Sequence, residues 1–161
     1  IISNAGFTYD SSIYPTKSKR YGLYSALDKP YMITFPDGDN LIEIPPQILK
    51  FGPLKLPVCG GVYLRLFPLW LNKIAIRKSN NSGIPGRVML HPHELDPDPP
   101  KFKVNLEAWL VKYFRIGKVR CILENILAKY SLITYKEYFK EYDIANLKEI
   151  PFLSFMDGHF D

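Results

Sequence analysis

Cysteine is scarce in this sequence of 161 residues: only Cys59 and Cys121 occur, far apart and without metal-ligand spacing. The pair leaves the redox compartment undecided. Long apolar runs are missing too. None approaches the roughly 20 residues that cross a bilayer, so no membrane span is expected. No run of basic residues reaches five and no nucleic-acid motif occurs, which argues against a nucleic-acid partner. Ser11 and Ser12 lack a Gly-x-Ser-x-Gly setting, which argues against a serine esterase. Internal repeats and low-complexity tracts are absent as well.

What remains is a folded chain rich in rings. Hydrophobic residues make up 47% of it, which excludes disorder, and 11 Tyr and 10 Phe suit a packed core or a sugar-binding surface. The length suits a single domain burying about 70% of its unfolded surface. The net charge of +5 comes entirely from the first half: ten bases and five acids lie in residues 1–80, eleven of each in 81–161. Such a bias attracts anionic polymers, and equally serves solubility.

Coarse patterning gives strands and helices. Residues 7–13 read as a short strand and 16–30, with Lys17, Lys19 and Arg20, as a loop. Tyr31–Phe35 and Leu41–Ile44 flank a turn cluster, Pro36-Asp37-Gly38-Asp39-Asn40, and predict a hairpin. Further short strands are expected around Gly52-Pro53. Gly60-Gly61 admits backbone conformations closed to other residues. If residues 62–66 form a strand, the alternate residues Tyr63 and Arg65 share one face. Pro68 suits a helix start, and Phe67, Trp70, Leu71 and Ile74 define its apolar face, with Lys73, Arg77 and Lys78 outside. Asn80-Asn81-Ser82-Gly83 ends it. After the proline-rich stretch from Pro97 to Lys103, Gly117 precedes a second helix carrying Val119, Ile122, Leu123, Ile126, Leu127 and Tyr130; Cys121 within it is expected to be buried. Ser131-Leu132-Ile133 predicts a short strand. Thr134-x-x-Glu137 is a capping box for a last helix bearing Tyr135, Tyr138, Phe139 and Tyr142.

The richest chemistry sits in Arg87-Val88-Met89-Leu90-His91-Pro92-His93-Glu94-Leu95-Asp96-Pro97. An apolar run, read as a strand over 87–91, ends in two histidines, a glutamate and an aspartate. Pro92 interrupts strand pairing there, so the polar groups sit at a strand end, where α/β folds bind ligands. His91 and His93 form a His-x-His pair whose rings would share one side of a strand. A metal site needs further ligands converging from other elements, so none is assigned to this chain.

Three stretches resemble a known family. Gly6-Phe7-Thr8-Tyr9-Asp10-Ser11-Ser12-Ile13-Tyr14-Pro15, Leu56-Pro57-Val58-Cys59-Gly60-Gly61-Val62-Tyr63-Leu64-Arg65-Leu66-Phe67-Pro68 and Leu90–Pro97 match, in order and spacing, elements of bacterial NodB-type polysaccharide deacetylases. The members meant carry a C-terminal extension of unknown function and occur in exopolysaccharide clusters. Tryptophan is usual in that family where this chain has His93. Its metal-binding Thr-Phe-Asp-Asp and His-Ser/Thr-x-x-His motifs, and its Arg-x-Pro motif, are absent here. The chain is therefore expected to be either the C-terminal part of a larger enzyme or a product without the catalytic half.

The resemblance implies an α/β fold: the C-terminal portion of an incomplete (β/α) barrel, one domain over 1–161. Within it, 1–16 supply a barrel strand, 17–66 an inserted β-rich segment, 67–142 barrel helices and strands, and 143–161 a tail. It implies deacetylation of an N-acetylated polysaccharide, with a zinc-like divalent ion in the complete enzyme and no cofactor in this chain. His91 would be the general acid, oriented by Asp10 or by Glu94. Tyr63, Arg65 and Glu94 would bind substrate. Open barrel edges imply self-association. The alternative is a non-catalytic module binding glycan or protein. The bacterial cytoplasm and the cell envelope both remain open as its location.

Overall fold

A computed structural model describes residues 2–17, 22–142 and 144–157. The strands are β1 (Tyr9–Asp10), β2 (Tyr31–Thr34), β3 (Asn40–Glu43), β4 (Ile48–Phe51), β5 (Leu54–Pro57) and β6 (Lys148–Pro151). The helices are α1 (Gly61–Leu66), α2 (Leu69–Asn81), α3 (Leu106–Tyr113), α4 (Val119–Leu127), α5 (Tyr135–Glu141) and α6 (Ser154–Asp157). The chain divides into two compact units, residues 1–56 with 133–161, and residues 57–132. The expected Lys19 and Arg20 loop positions lie outside the described residues.

The first unit is built on a mixed sheet of order β1-β3-β2-β6. β2 and β3 form the predicted antiparallel hairpin, Tyr31 opposite Glu43 and Thr34 opposite Asn40. Its turn closes through the Phe35 and Gly38 amides, with Gly38 at φ 90°. Alternation along β2 separates two apolar layers. Tyr31 and Ile33 pack with Ala26 and Ile150 on one face. Met32, Ile42, Ile44 and Leu147 meet Tyr135 and Phe139 of α5, and Tyr142 just after it, on the other. The Thr134 capping box starts α5 as its sequence requires: Thr134 Oγ1 accepts from the Glu137 amide at 3.2 Å, and Glu137 accepts from the Thr134 amide at 2.7 Å. β4 and β5 pair separately.

The second unit is helical. Pro68 caps α2 as expected, but the inward face is Leu71, Asn72, Ala75 and Ile76, and Trp70 is exposed. Gly86 touches that face closely: a Cβ there would lie 2.8 Å from Ile76 Cγ2, so only glycine fits without a shift. α4 buries Val119, Ile122 and Ile126. Among the described residues no helix is long and apolar enough to cross a membrane.

Several expectations need correction. The strand over 7–13 is only Tyr9–Asp10. Residues 62–66 lie in α1; short apolar runs do not distinguish strand from helix. Tyr63 and Arg65 therefore do not share a face. The strand over 87–91 reduces to one parallel bridge, Met89 to Gly60; Pro85 and Pro92 confine the run on both sides. Residues 131–133 form no strand, and Leu132 and Ile133 are exposed. Cys121 is exposed, on the outer side of α4, whereas Cys59 is buried. α3, β6 and α6 were not foreseen, and β6 makes part of the supposed tail a sheet strand. The fold is a mixed α/β arrangement, with no closed barrel among the described residues.

Candidate functional site

The His91 segment is anchored from below. Pro92 opens a short 3-10 helix, Pro92–Leu95, in which the Glu94 amide donates to the His91 carbonyl at 2.9 Å. The Glu94 carboxylate returns the contact, its Oε2 accepting from the His91 amide at 3.1 Å. Its Oε1 faces Arg65 Nη2 at 3.4 Å, and the two side chains are 2% and 1% exposed. The guanidinium also donates to the carbonyls of Phe114 and Val111, each at 2.6 Å. A charge this deeply placed needs both a counter-charge and hydrogen bonds, and Arg65 has both. The pair ties α1 to the histidine segment and to the end of α3.

Above this anchor both imidazoles face outward. His91 and His93 are exposed, and their rings stack with centroids 5.5 Å apart and planes 16° from parallel. The shared side expected from the His-x-His spacing is thus reached on a 3-10 turn rather than on a strand. An exposed imidazole can give or take a proton from a ligand. Among the described residues no group of three His, Cys, Asp or Glu is placed to hold a metal ion.

The other candidate residues fall as follows. Tyr63 stacks on Phe67, centroids 6.5 Å apart. Arg65 and Glu94 are sealed within the unit. Asp10 belongs to the first unit and His91 to the second. Within its own unit Asp10 accepts from Ser12 Oγ at 2.9 Å, the local turn bond that Asp-Ser-Ser sequences favour. Ser11 Oγ donates to the Ile44 carbonyl at 2.6 Å.

Three features escaped the sequence reading. Glu43, in register with Asp10, is 1% exposed and accepts from the Ile13 amide at 2.9 Å. Burial first, and the Asp10 charge second, push its carboxyl up to about 7, against backbone amides of Ile13 and Ser12 that pull it down. The buried Tyr31 hydroxyl opposite is raised as well, by burial and then by Glu43. Asn72 is fully buried; it accepts from the Cys59 amide at 2.8 Å and donates to the Leu64 carbonyl at 3.1 Å. It thereby fixes the left-handed Cys59, φ 59°, whose thiol burial pushes up to about 12. α3 is the third. An acid inside Leu41–Ile44 and an amide inside an apolar helix face were the available signals for the first two.

A family model described as a domain of unknown function, DUF3473, matches residues 11–140. Neither the curated proteins nor the solved structures contain a match.

Proposed function

The chain belongs to the DUF3473 family, and we propose that it is the C-terminal portion of a metal-dependent polysaccharide N-deacetylase of the NodB type, built as part of an incomplete (β/α) barrel. Its contribution is His91. The observation that carries this reading is the buried Arg65–Glu94 pair, which grips the His91 amide while leaving the imidazole in solvent. Two charges in the interior are costly, and their use as an anchor for one exposed histidine suits a residue whose position matters.

Hydrolysis of an N-acetyl group proceeds through a tetrahedral adduct of water and the carbonyl carbon. The C–N bond breaks only as the nitrogen takes a proton, because an amide anion is too poor a leaving group. In this proposal the His91 imidazolium gives that proton, acetate leaves, and the free amine remains on the sugar. The zinc-like ion and the base that activate water belong to residues outside this chain, as does any step that uses them. The partner is an N-acetylated polysaccharide. Self-association through β1 and β6, the sheet's edge strands, belongs to the same proposal.

Imidazole NMR tests the site. Adding an oligosaccharide of N-acetylglucosamine should shift the His91 ring resonances, and the fully deacetylated oligosaccharide should shift them less. Shifts confined to residues remote from His91 would instead favour the non-catalytic glycan-binding module, and no response to either sugar would count against both.

A further inference from the structure

α3 presents an apolar stripe to solvent. None of its eight residues is buried. Leu106, Trp109 and Leu110, at i, i+3 and i+4, share one face and are all exposed, Leu106 by 74%. Phe102, 64% exposed, is set beside the helix by Tyr113: the hydroxyl accepts from the Phe102 amide and donates to the Pro100 carbonyl, each at 3.0 Å. The Lys112 ammonium lies 5.6 Å from the Phe102 ring centroid.

The surrounding charge is one-sided. Residues 101–120 carry six bases, Lys101, Lys103, Lys112, Arg115, Lys118 and Arg120, against the single acid Glu107, and all six bases are exposed. Lys101 pairs with Asp98 at 3.9 Å and Arg120 with Glu124 at 3.0 Å. Lys103, Lys112, Arg115 and Lys118 make no ion pair among the described residues.

We propose that this face is a docking surface for an anionic lipid bilayer, with α3 lying in the membrane interface rather than crossing it. Exposed leucines beside a tryptophan and a phenylalanine, rimmed by lysine and arginine, is the composition that partitions into the headgroup boundary. The aliphatic side chains decide between a membrane and an acidic glycan. Leu106 and Leu110 have no flat face for a sugar ring, but they do gain from leaving water for hydrocarbon. Lys112 can extend its ammonium toward phosphates while its stem stays on the apolar side. The inference does not use the deacetylase reading: His91 takes no part, and of its anchor only the Arg65 bond to the Val111 carbonyl reaches α3.

Co-sedimentation of the full chain with vesicles tests it. Binding to equal parts phosphatidylglycerol and phosphatidylcholine should exceed binding to pure phosphatidylcholine by about tenfold or more, and should weaken at high salt. Leu106→Ser with Leu110→Ser should reduce it by about tenfold or more. Lys103→Ala and Lys112→Ala should each cost about fivefold. In a Trp70→Phe background, Trp109 emission should shift to the blue on binding. An unchanged far-UV circular dichroism spectrum would establish that the exposed substitutions leave the fold intact. The proposal is overturned by equal binding to both vesicles, by no binding, or by retention in the double leucine variant. Trp109 responding to polyglucuronic acid but not to vesicles would likewise overturn it, in favour of a glycan.

Discussion

Each unit buries one glutamate, and the two are stabilised in different ways. Glu94 in the helical unit faces Arg65 and holds the His91 amide. Glu43 in the sheet unit has no basic partner among the described residues; it is held by backbone amides and its carboxyl rises to about 7. The first carries a pair of charges and positions an exposed histidine. The second can shed its charge by taking a proton, and it holds the Asp10-Ser11-Ser12-Ile13 turn against β3. A buried carboxylate thus indicates nothing by itself; Glu94 is held by a cation and Glu43 by backbone amides.

Breaking the Arg65–Glu94 pair should have the largest effect on stability. Arg65→Met leaves Glu94 buried without its cation and should cost about 3–5 kcal/mol in urea unfolding. Adding Glu94→Gln should recover much of that loss, because the orphaned charge disappears while the amide oxygen still accepts from His91. If Arg65→Met unfolds like the parent chain, the anchor is not a determinant of the unit.

Glu43 should show the opposite sign. The folded chain keeps its proton to about pH 7, whereas the unfolded chain releases it near the ordinary 4.5. Its contribution is therefore fully present below 4.5 and is lost as pH rises through the folded value. Glu43→Gln keeps an acceptor for the Ile13 amide without the charge. It should stabilise the chain above pH 7 by on the order of 3 kcal/mol and flatten the slope between pH 4.5 and 7. A slope left intact in this variant would assign the titration to another group.

The smallest effect belongs to the first unit's helix start. Thr134→Ala removes the hydroxyl that caps α5, and Tm should fall by about 2–4 °C. The Glu137 carboxyl, held low by the Thr134 amide and then by its hydroxyl, should titrate higher in that variant. An unaltered Tm would mean that the aromatic packing of Tyr135 and Phe139 alone fixes the helix.

Local signals made much of this fold legible. The hairpin of β2 and β3, the start of α2 at Pro68 and the Thr134 box follow from turn residues, proline and caps, which act over a few positions. What escaped depends on partners distant in sequence. Arg65 reads from sequence as a substrate-binding residue beside Tyr63, because Val111 and Phe114, which receive its hydrogen bonds, lie some fifty positions later. β6 was invisible because Lys148–Pro151 becomes a strand only beside β2. α3 has no buried residue, so no core partner marks it in the sequence. At the site, the histidine segment was readable from its composition; its anchor was not.

Acetate release tests the central claim most directly. It is measured on a polypeptide that joins this chain to the metal-binding half of a NodB-type deacetylase, with His91→Ala and His93→Ala compared at constant metal content. If His91 donates the proton, His91→Ala should lower kcat by about 10²–10⁴ and His93→Ala by much less. Equal kcat in the parent and His91→Ala would contradict the assignment.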